Sequence, residues 1–391
     1  MDYCEKSSGC WRAIDNFQKA IFSDIRKMAI PNGREKISAE MVLNKIENVI
    51  LIMVRQISSG EPPTLICNSR TSWDNIRFEE DYGLMMRRQM KMTSIRFNSQ
   101  TSVKKLGLMM KVLGIIYRLV QTGKHCTKRD IYYQDVSGFG SQAQLDETVD
   151  NISCLLDTPR WSLHVLASSK GCIAGDLSFQ DGDGNLVDCK TTRTGVMVPN
   201  DVRALKYFHT DASFILVVEK DATFQNLIDN GFCTKLGPAI LITGKGFPDV
   251  NTRMLLRTLW DTFHIPVMVL VDADPHGIEI MSIYKYGSRA LSHESSYLTV
   301  PSLCWIGVLP SDVTRLSVGK ENLLPMTRAD HDKAFELKSR PYYCQSASFQ
   351  REVDILLQTD CKAEIQCLES ISTNFLIDVY LPGKLQHGGW I

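Results

Sequence analysis

No stretch of this sequence is apolar for long enough to cross a bilayer. A strongly apolar run such as IPVMVLV at 265–271 falls far short of the roughly 20 residues a spanning helix needs. Charge of one sign is not in excess either: 44 Lys and Arg balance 44 Asp and Glu. That excludes a wholly basic chromatin protein or an acidic-tail protein, though a neutral total can hide a basic face. The twelve cysteines, at 4, 10, 67, 126, 154, 172, 189, 233, 304, 344, 361 and 367, include no Cys-x-x-Cys. Scattered thiols of this kind predict a reducing compartment rather than a disulfide framework or a zinc site. Internal repeats, low-complexity tracts and a GxxxxGK[ST] loop are also missing, so nothing points to a solenoid or an ATPase. The amino-terminal MDYCEKSSGCWRAIDNF is charged and has no apolar run, which predicts no secretory leader. A cytosolic or nuclear protein is expected.

What is present is an ordinary globular composition over 391 residues, 44% apolar and 23% charged, long enough for two to three domains. Helical spacing runs through 12–56, with Met41, Val42, Ile46, Val49, Ile50 and Met53 on one face. EPPTL at 61–65 breaks it. VKKLGLMMKVLGIIYRLVQTG at 103–123 is an amphipathic helix that Gly123 terminates, and Thr127 with Asp130 forms a capping pair that opens the next one. Between 70 and 130 there are 13 Lys or Arg and five Asp or Glu, a difference of +8 that the rest of the chain must offset. A basic helical segment facing an acidic remainder suits a polyanion partner. The Met-rich stretch at 85–92 is expected to serve helix packing or an interface.

From 213 onward the pattern alternates. SFILVVE, PAILITG and PVMVLVDAD are continuously apolar strands, each followed by a helical stretch at 221–231, 249–263 and 277–288. DGDGNL at 181–186 is a hairpin turn, and 298–313 is expected to add one more strand. Runs of this kind, separated by crossover helices, make a parallel sheet covered on both faces. Strand carboxyl ends converge on one edge of such a sheet. Glu219 ends the first strand, and Asp272 and Asp274, two residues apart and so on one side, end the third. Three hard anionic oxygens with Gly277 close behind suit Mg2+.

A second chemistry is possible in TKRDIYYQD at 127–135. A tyrosine attacks a phosphodiester when its phenol is deprotonated in the transition state. Arg129 lies one helical turn before Tyr133, where it can stabilise phosphate or phenolate charge, and Tyr132 points elsewhere.

KRDIYYQD at 128–135, ASSKG at 167–171, LVVEKDATFQNL at 216–227, TGKGFPD at 243–249, LWDTFHIPV at 259–267 and DADPHGIEI at 272–280 together resemble the meiotic double-strand-break family, the eukaryotic relatives of the topoisomerase VI A subunit. The similarity runs from about residue 72 to the closing KLQHGGWI. It implies an α/β multidomain fold, with an N-terminal winged-helix (CAP-like) domain followed by a Toprim domain built on a Rossmann-like parallel sheet. The corresponding divisions are a helical extension at 1–40, the winged-helix domain at 41–150, a connecting segment at 151–205 and the Toprim domain with its elaboration at 206–391. By the same resemblance Tyr133 is the nucleophile and Arg129 its partner, Glu219, Asp272 and Asp274 bind Mg2+, and Lys170 and Lys245 contact DNA. Asp249 lies on the same loop as Lys245. VSGFG at 136–140 departs from the animal pattern at Gly138, where a bulkier residue is usual, a departure that bears on the local helix end and not on the tyrosine.

The activity implied is a topoisomerase-like transesterification through a 5′-phosphotyrosyl intermediate. It would make meiotic double-strand breaks on chromosomes in the nucleus and so initiate homologous recombination. The implied partners are double-stranded DNA, a second copy in a homodimer or an A2B2 heterotetramer, accessory break-formation proteins and a topoisomerase VI B-like subunit. No membrane is expected. Two other classes use the same residues: a metal-dependent nuclease in which the acids activate water, and a non-catalytic winged-helix DNA-binding protein on a degenerate Toprim scaffold.

Overall fold

The computed structural model describes residues 12–27, 37–70, 72–87 and 91–391. The 1–11 and 28–36 portions of the helical extension, with Cys4 and Cys10, Thr71 and residues 88–90 of the Met-rich stretch lie outside the described residues. The N-terminal part begins with α1 (Arg12–Lys27) and α2 (Ala39–Ser58), the latter capped by Ser38, whose side chain accepts from the Met41 amide. Four short strands follow: β1 (Thr64–Asn68), β2 (Ile76–Glu79), β3 (Gly83–Met86) and β4 (Met92–Arg96). β1 pairs with β4 and β2 with β3, both antiparallel. Then come α3 (Gln100–Thr122), α4 (Lys128–Gln134) and α5 (Gln142–Leu155).

In α3 the buried Leu106, Met109, Leu113, Ile116 and Val120 repeat at three- and four-residue intervals, so one stripe faces inward. It packs with Val42, Ile46 and Met53 of α2, Ile131 of α4, and Leu145, Val149 and Ile152 of α5 into one core. Gly123 ends α3 in the left-handed conformation at φ 66°, and Thr127 with Asp130 forms the expected capping box on α4.

The stretch from 70 to 100 corrects the expectation of a basic helical segment from 70 to 130, and within 85–92 Met86 packs against α5, its sulfur 3.7 Å from that of Cys154, in keeping with a packing role. Gly83–Met86 and Met92–Arg96 are strands. The reason is tertiary: Ile76 and Leu84 of the β2–β3 hairpin are buried in the core of the other half of the molecule, and Phe78 meets Tyr286 edge-on at 5.6 Å. Burial of that kind decides the conformation of a stretch whose local pattern is weak.

The second half is built on β5 (Cys172–Gly175), β6 (Ile215–Val218), α6 (Asp221–Asp229), β7 (Ile240–Thr243), α7 (Val250–Phe263), β8 (Val267–Leu270), α8 (Pro275–Tyr286) and β9 (Cys304–Gly307). The sheet order is Val196–Met197, β5, β7, β6, β8, β9. β7, β6, β8 and β9 are parallel, as the alternating pattern predicts. β5 and Val196–Met197 join antiparallel, so residues 151–205 add two strands to this sheet. Ser178–Gln180 and Leu186–Asp188 pair across the DGDGN turn.

Successive residues of β6 enter different cores. Ile215 and Val217 pack with α7 and α8, while Leu216 and Val218 pack with α6 and the C-terminal helix Leu381–His387. Each fully buried Ile, Leu or Val contributes roughly 1.5–3 kcal/mol relative to exposure. α1 lies on the second of these faces: Ile14 is buried there, and Phe17 faces Trp390 at 5.9 Å. Among the described residues no helix is long and apolar enough to cross a membrane.

The hairpin's seat on α8 is testable. Gly83 has φ +76°, and a Cβ there would overlap the Tyr286 carbonyl. Gly83→Ala is expected to cost about 3 kcal/mol or more. At Gly60, with φ +75° and open space around it, the same change costs only the left-handed backbone penalty of roughly 1–2 kcal/mol. Urea denaturation of both variants measures the difference.

Candidate functional site

The parallel strands place the acids. β6 lies between β7 and β8, and the chain leaves it first to one side and then to the other. The carboxyl edge beside such a reversal is where open α/β sheets bind ligands. Val218 pairs with Leu270 across β6 and β8, and the Glu219 amide donates to the Leu270 carbonyl at 3.0 Å. Glu219 and Asp272 therefore emerge side by side, and Glu219 Oε2 accepts from the Asp272 amide at 2.9 Å. Asp274 is the N-cap of α8, its Oδ1 accepting from the Gly277 amide at 2.6 Å. Gly277 is obligatory for contact: a Cβ there would overlap the Asp272 carbonyl.

Asp272 is almost fully buried, at 4% exposure, and both of its oxygens are engaged. Oδ1 accepts from the Ile365 amide at 2.9 Å, and Oδ2 lies 2.8 Å from Lys220 Nζ. Lys220 also reaches Glu364 at 3.2 Å. Burial and then the charge of Asp272 push Glu219 up to about 7. Burial likewise raises Asp272 despite its bond to Lys220. Burial works against the Lys220 ammonium, but its bond to Asp272 carries its pKa above the ordinary lysine value. Two like charges forced together in a partly dry site favour a cation. Among the described residues, however, no three His, Cys, Asp or Glu side chains are gathered closely enough to hold a metal ion as they stand. The donor chemistry fits Mg2+, and Lys220 holds one of the oxygens it would use.

The loop motifs meet at the same edge. Asp249 caps α7: its Oδ1 accepts from the Thr252 amide at 2.9 Å, and its Oδ2 accepts from the amides of Lys170 at 3.1 Å and Gly171 at 3.3 Å. Lys170 Nζ donates to the Lys245 carbonyl at 3.1 Å, and Lys245 Nζ lies 3.3 Å from Asp221. The Gly246 amide donates to the Glu219 carbonyl at 2.8 Å. The loops carrying Lys170 and Lys245 are thus locked together and tied to the main chain of Glu219. Asp249 is a structural lock rather than a surface turn residue.

Tyr133 lies apart from this edge. On α4, Ile131 is buried and Tyr132 is partly buried against the module core. Arg129 and Tyr133, four residues apart, share the outer face. Tyr133 is 67% exposed. Its ring lies 5.6 Å from that of Tyr132. No hydrogen bond or ion pair among the described residues joins Arg129 or Tyr133 to Glu219, Asp272 or Asp274. Beyond α4, Asp135 caps the next turn through the Gly138 amide at 2.9 Å and pairs with Lys111. That bond to Lys111 holds the Asp135 carboxyl well below the ordinary range, at about 2. A side chain at Gly138 would meet only the ends of Asp135 and Lys111, so the turn forms here around the glycine's space.

Sequence reasoning missed the two residues that complete the acid edge. Lys220 was visible beside Glu219 in EKD, but nothing local pairs it with Asp272, which is 52 positions further along. The Ile365 amide comes from a distant segment and leaves no signal.

Comparison with known proteins covers both halves. The family model for the Toprim domain of the topoisomerase 6 A-chain and Spo11 proteins matches residues 214–385, and that described as type IIB DNA topoisomerase matches residues 104–165. The meiotic recombination protein SPO11 of Mus musculus is 46% identical over 97% of this chain and 96% of its own length. That of Homo sapiens is 45% identical over 97% of the chain and 96% of its own length. The A3 subunit of DNA topoisomerase 6 from Oryza sativa subsp. indica is 38% identical over 90% of the chain and 78% of its own length.

Asp249→Ala removes a helix cap and strands the two loop amides. It is expected to lower stability by about 1–2 kcal/mol and to speed hydrogen exchange at Lys170 and Gly171. Lys170→Ala, which keeps that lock, should stay within about 0.5 kcal/mol of the parent. Denaturant titration and amide exchange check both.

Proposed function

Since the chain belongs to the family of the SPO11 meiotic recombination proteins and the topoisomerase 6 A subunit, we propose that it is a DNA-cleaving transesterase that makes the double-strand breaks initiating meiotic recombination, with Tyr133 as nucleophile. The observation that carries this is the division within KRDIYYQD. Tyr132 packs inward while Tyr133 and Arg129 stand on the exposed face of a capped helix, where a phenol can reach a backbone phosphate.

The N-terminal module, with its helices and the paired strands beside them, acts as a winged-helix domain that presents this face to DNA. Tyr133 Oη attacks the phosphorus, the Oη–P bond forms and the P–O3′ bond breaks. The phenolic proton is released, and the leaving sugar oxygen takes up a proton to become a free 3′-hydroxyl. The protein is left on the 5′-phosphate, and because the phosphodiester energy is conserved in the phosphotyrosine no nucleotide hydrolysis is needed for the cut. Arg129, one turn away, orients the phosphate and offsets charge developing on its oxygens. Glu219, Asp272 and Asp274 would hold Mg2+, which when bound supplies charge neutralisation at the scissile phosphate. Lys220, already paired with both Asp272 and Glu364, lies against one of the oxygens that would hold the ion. Lys170 and Lys245, on loops fastened to the same edge, contact the DNA backbone. Contacts of that kind are salt-sensitive and weakly selective for sequence.

Tyr133 stands exposed on the N-terminal module and the acids stand at the sheet edge of the other half, and the reaction is taken to run in trans. A two-fold homodimer, or an A2B2 assembly with a B-like subunit, places the tyrosine of one copy at the acids of the other on each strand. The setting is nuclear, on meiotic chromosomes, with accessory break-formation proteins.

Internally labelled duplex incubated with the protein and Mg2+, then denatured, tests this reading. Label should migrate with the wild-type chain. Tyr133→Phe should abolish the adduct, a loss of about 1,000-fold or more, as should Glu219→Gln and Asp272→Asn. Tyr132→Phe should retain it. Cleavage with no protein on the product would mean that water is the nucleophile and would refute the proposal.

A further inference from the structure

The two halves of the molecule are joined in part by a polar seam. Asp150 of α5 lies among three cations: Arg70 Nη1 at 3.4 Å, Lys128 Nζ at 3.3 Å and Arg160 Nη2 at 3.2 Å. Lys128 also faces Asp146 at 3.6 Å. Arg160, 5% exposed, passes the connection on. Its Nε lies 3.3 Å from Glu294 Oε2, and its amide donates to Glu294 Oε1 at 3.0 Å. Glu294 is wholly buried and also accepts from Ser153 Oγ at 3.2 Å. Arg70, Lys128 and Arg160 are matched by Asp146, Asp150 and Glu294, so the seam is electrically balanced.

The ends of this chain of pairs are informative. Lys128 is the first residue of α4, the helix that carries Tyr133. Glu294 lies in the turns that follow α8, the helix capped by Asp274. Those turns are fastened to the sheet side by α7: Arg253 Nε donates to the Leu298 carbonyl at 3.3 Å and Arg257 Nη1 to the Thr299 carbonyl at 2.7 Å.

A helix of seven residues has almost no stability of its own. Its attitude is set by what its inner face grips. By helical spacing Lys128, Ile131 and Tyr132 share that face, while Arg129 and Tyr133 share the other. Ile131 and Tyr132 are held by apolar packing, which is non-directional. Lys128, with a side chain only 12% exposed, makes the directional contact. Buried ion pairs add little net stability, yet a misplaced one leaves an uncompensated charge, so they are suited to specifying geometry.

We propose that Lys128 is a positioning residue that ties the tyrosine helix, through Asp150, Arg160 and Glu294, to the frame carrying Glu219, Asp272 and Asp274. This rests on Tyr133 being the nucleophile. In a two-fold dimer with composite sites, the attitude of α4 within one chain sets where its phenol arrives at the other. A misplacement of about 1 Å there costs roughly 100-fold in rate. Being paired to two carboxylates and largely covered, Lys128 is a poor candidate for a phosphate contact.

The test uses the full chain in the wild-type, Lys128→Gln, Lys128→Arg and Asp150→Asn forms. Three quantities are read: amide exchange over 128–134 and over the strands 215–218 and 267–270, affinity for a short duplex, and the single-turnover rate of adduct formation. Lys128→Gln is expected to speed exchange about tenfold or more in 128–134 alone and to slow the adduct about 100-fold, with duplex affinity unchanged. Lys128→Arg should restore both, and Asp150→Asn should reproduce the Gln variant. If the Asn variant does not fold, the Lys128 pair still decides. Wild-type exchange or a wild-type adduct rate in Lys128→Gln overturns the inference. So does a loss of duplex affinity equal to the loss of rate, which would make Lys128 a DNA contact. If the wild-type chain itself forms no adduct at Tyr133, the nucleophile reading fails, and exchange over 128–134 alone decides the positioning.

Discussion

The parallel pairing of Ile215–Val218 with Val267–Leu270 is the constraint on which the rest of the site depends. It brings the ends of two strands level, so Glu219 and Asp272 leave the sheet together at a half-dry edge. Left alone, two carboxylates there would repel each other and lose hydration. The chain answers with main-chain amides, from Asp272 to Glu219 and from Ile365 to Asp272, and with the Lys220 ammonium. The acids are therefore held in a fixed arrangement by groups drawn from three separate parts of the sequence. Glu219 keeps a raised proton affinity, chiefly because it is buried and then because Asp272 stands beside it.

The side that carries Tyr133, the proposed nucleophile, is arranged on the opposite principle. Glu219 and Asp272 are embedded in the sheet edge, whereas Tyr133 stands out from a short helix whose inner face is anchored. An exposed phenol can meet a large, stiff substrate such as duplex DNA, and buried acids can hold charge in a low-dielectric setting where it acts strongly. Separating the two roles into two modules means that their relative attitude must be specified. The seam through Asp150, Arg160 and Glu294 supplies charge pairing at that junction, with hydrogen bonds from Lys128 Nζ to Asp150 and from the Arg160 amide to Glu294. The β2–β3 hairpin adds apolar ones by sending Ile76 and Leu84 into the sheet-side core.

Much of this was legible locally. The three apolar runs from 213 onward could only be strands buried on both faces, and they are. The Thr127–Asp130 capping box and the Gly123 terminus carry their own hydrogen-bond logic, and both appear where the spacing puts them. Less could be read where an element owes its form to a distant partner. Residues 76–86 lack a strong local pattern and become a hairpin because α8 offers a surface for it. Cys172–Gly175 and Val196–Met197 extend the sheet antiparallel at an edge that no run of sequence announces. Asp249 was legible only as a loop neighbour of Lys245, and its contacts with the 170–171 amides reveal a lock.

By itself the sequence determined the identities and order of the candidate groups: the tyrosine helix with Arg129 one turn before Tyr133, the strand-terminal acids and the glycine behind them. These follow from backbone periodicity and capping, which act over a few residues. Tertiary structure alone decided which of two adjacent tyrosines faces solvent, which cation neutralises Asp272, and how the two modules are fastened. Those outcomes depend on burial and charge pairing between residues far apart in the chain, and the energies that settle them exist only once the surfaces have met.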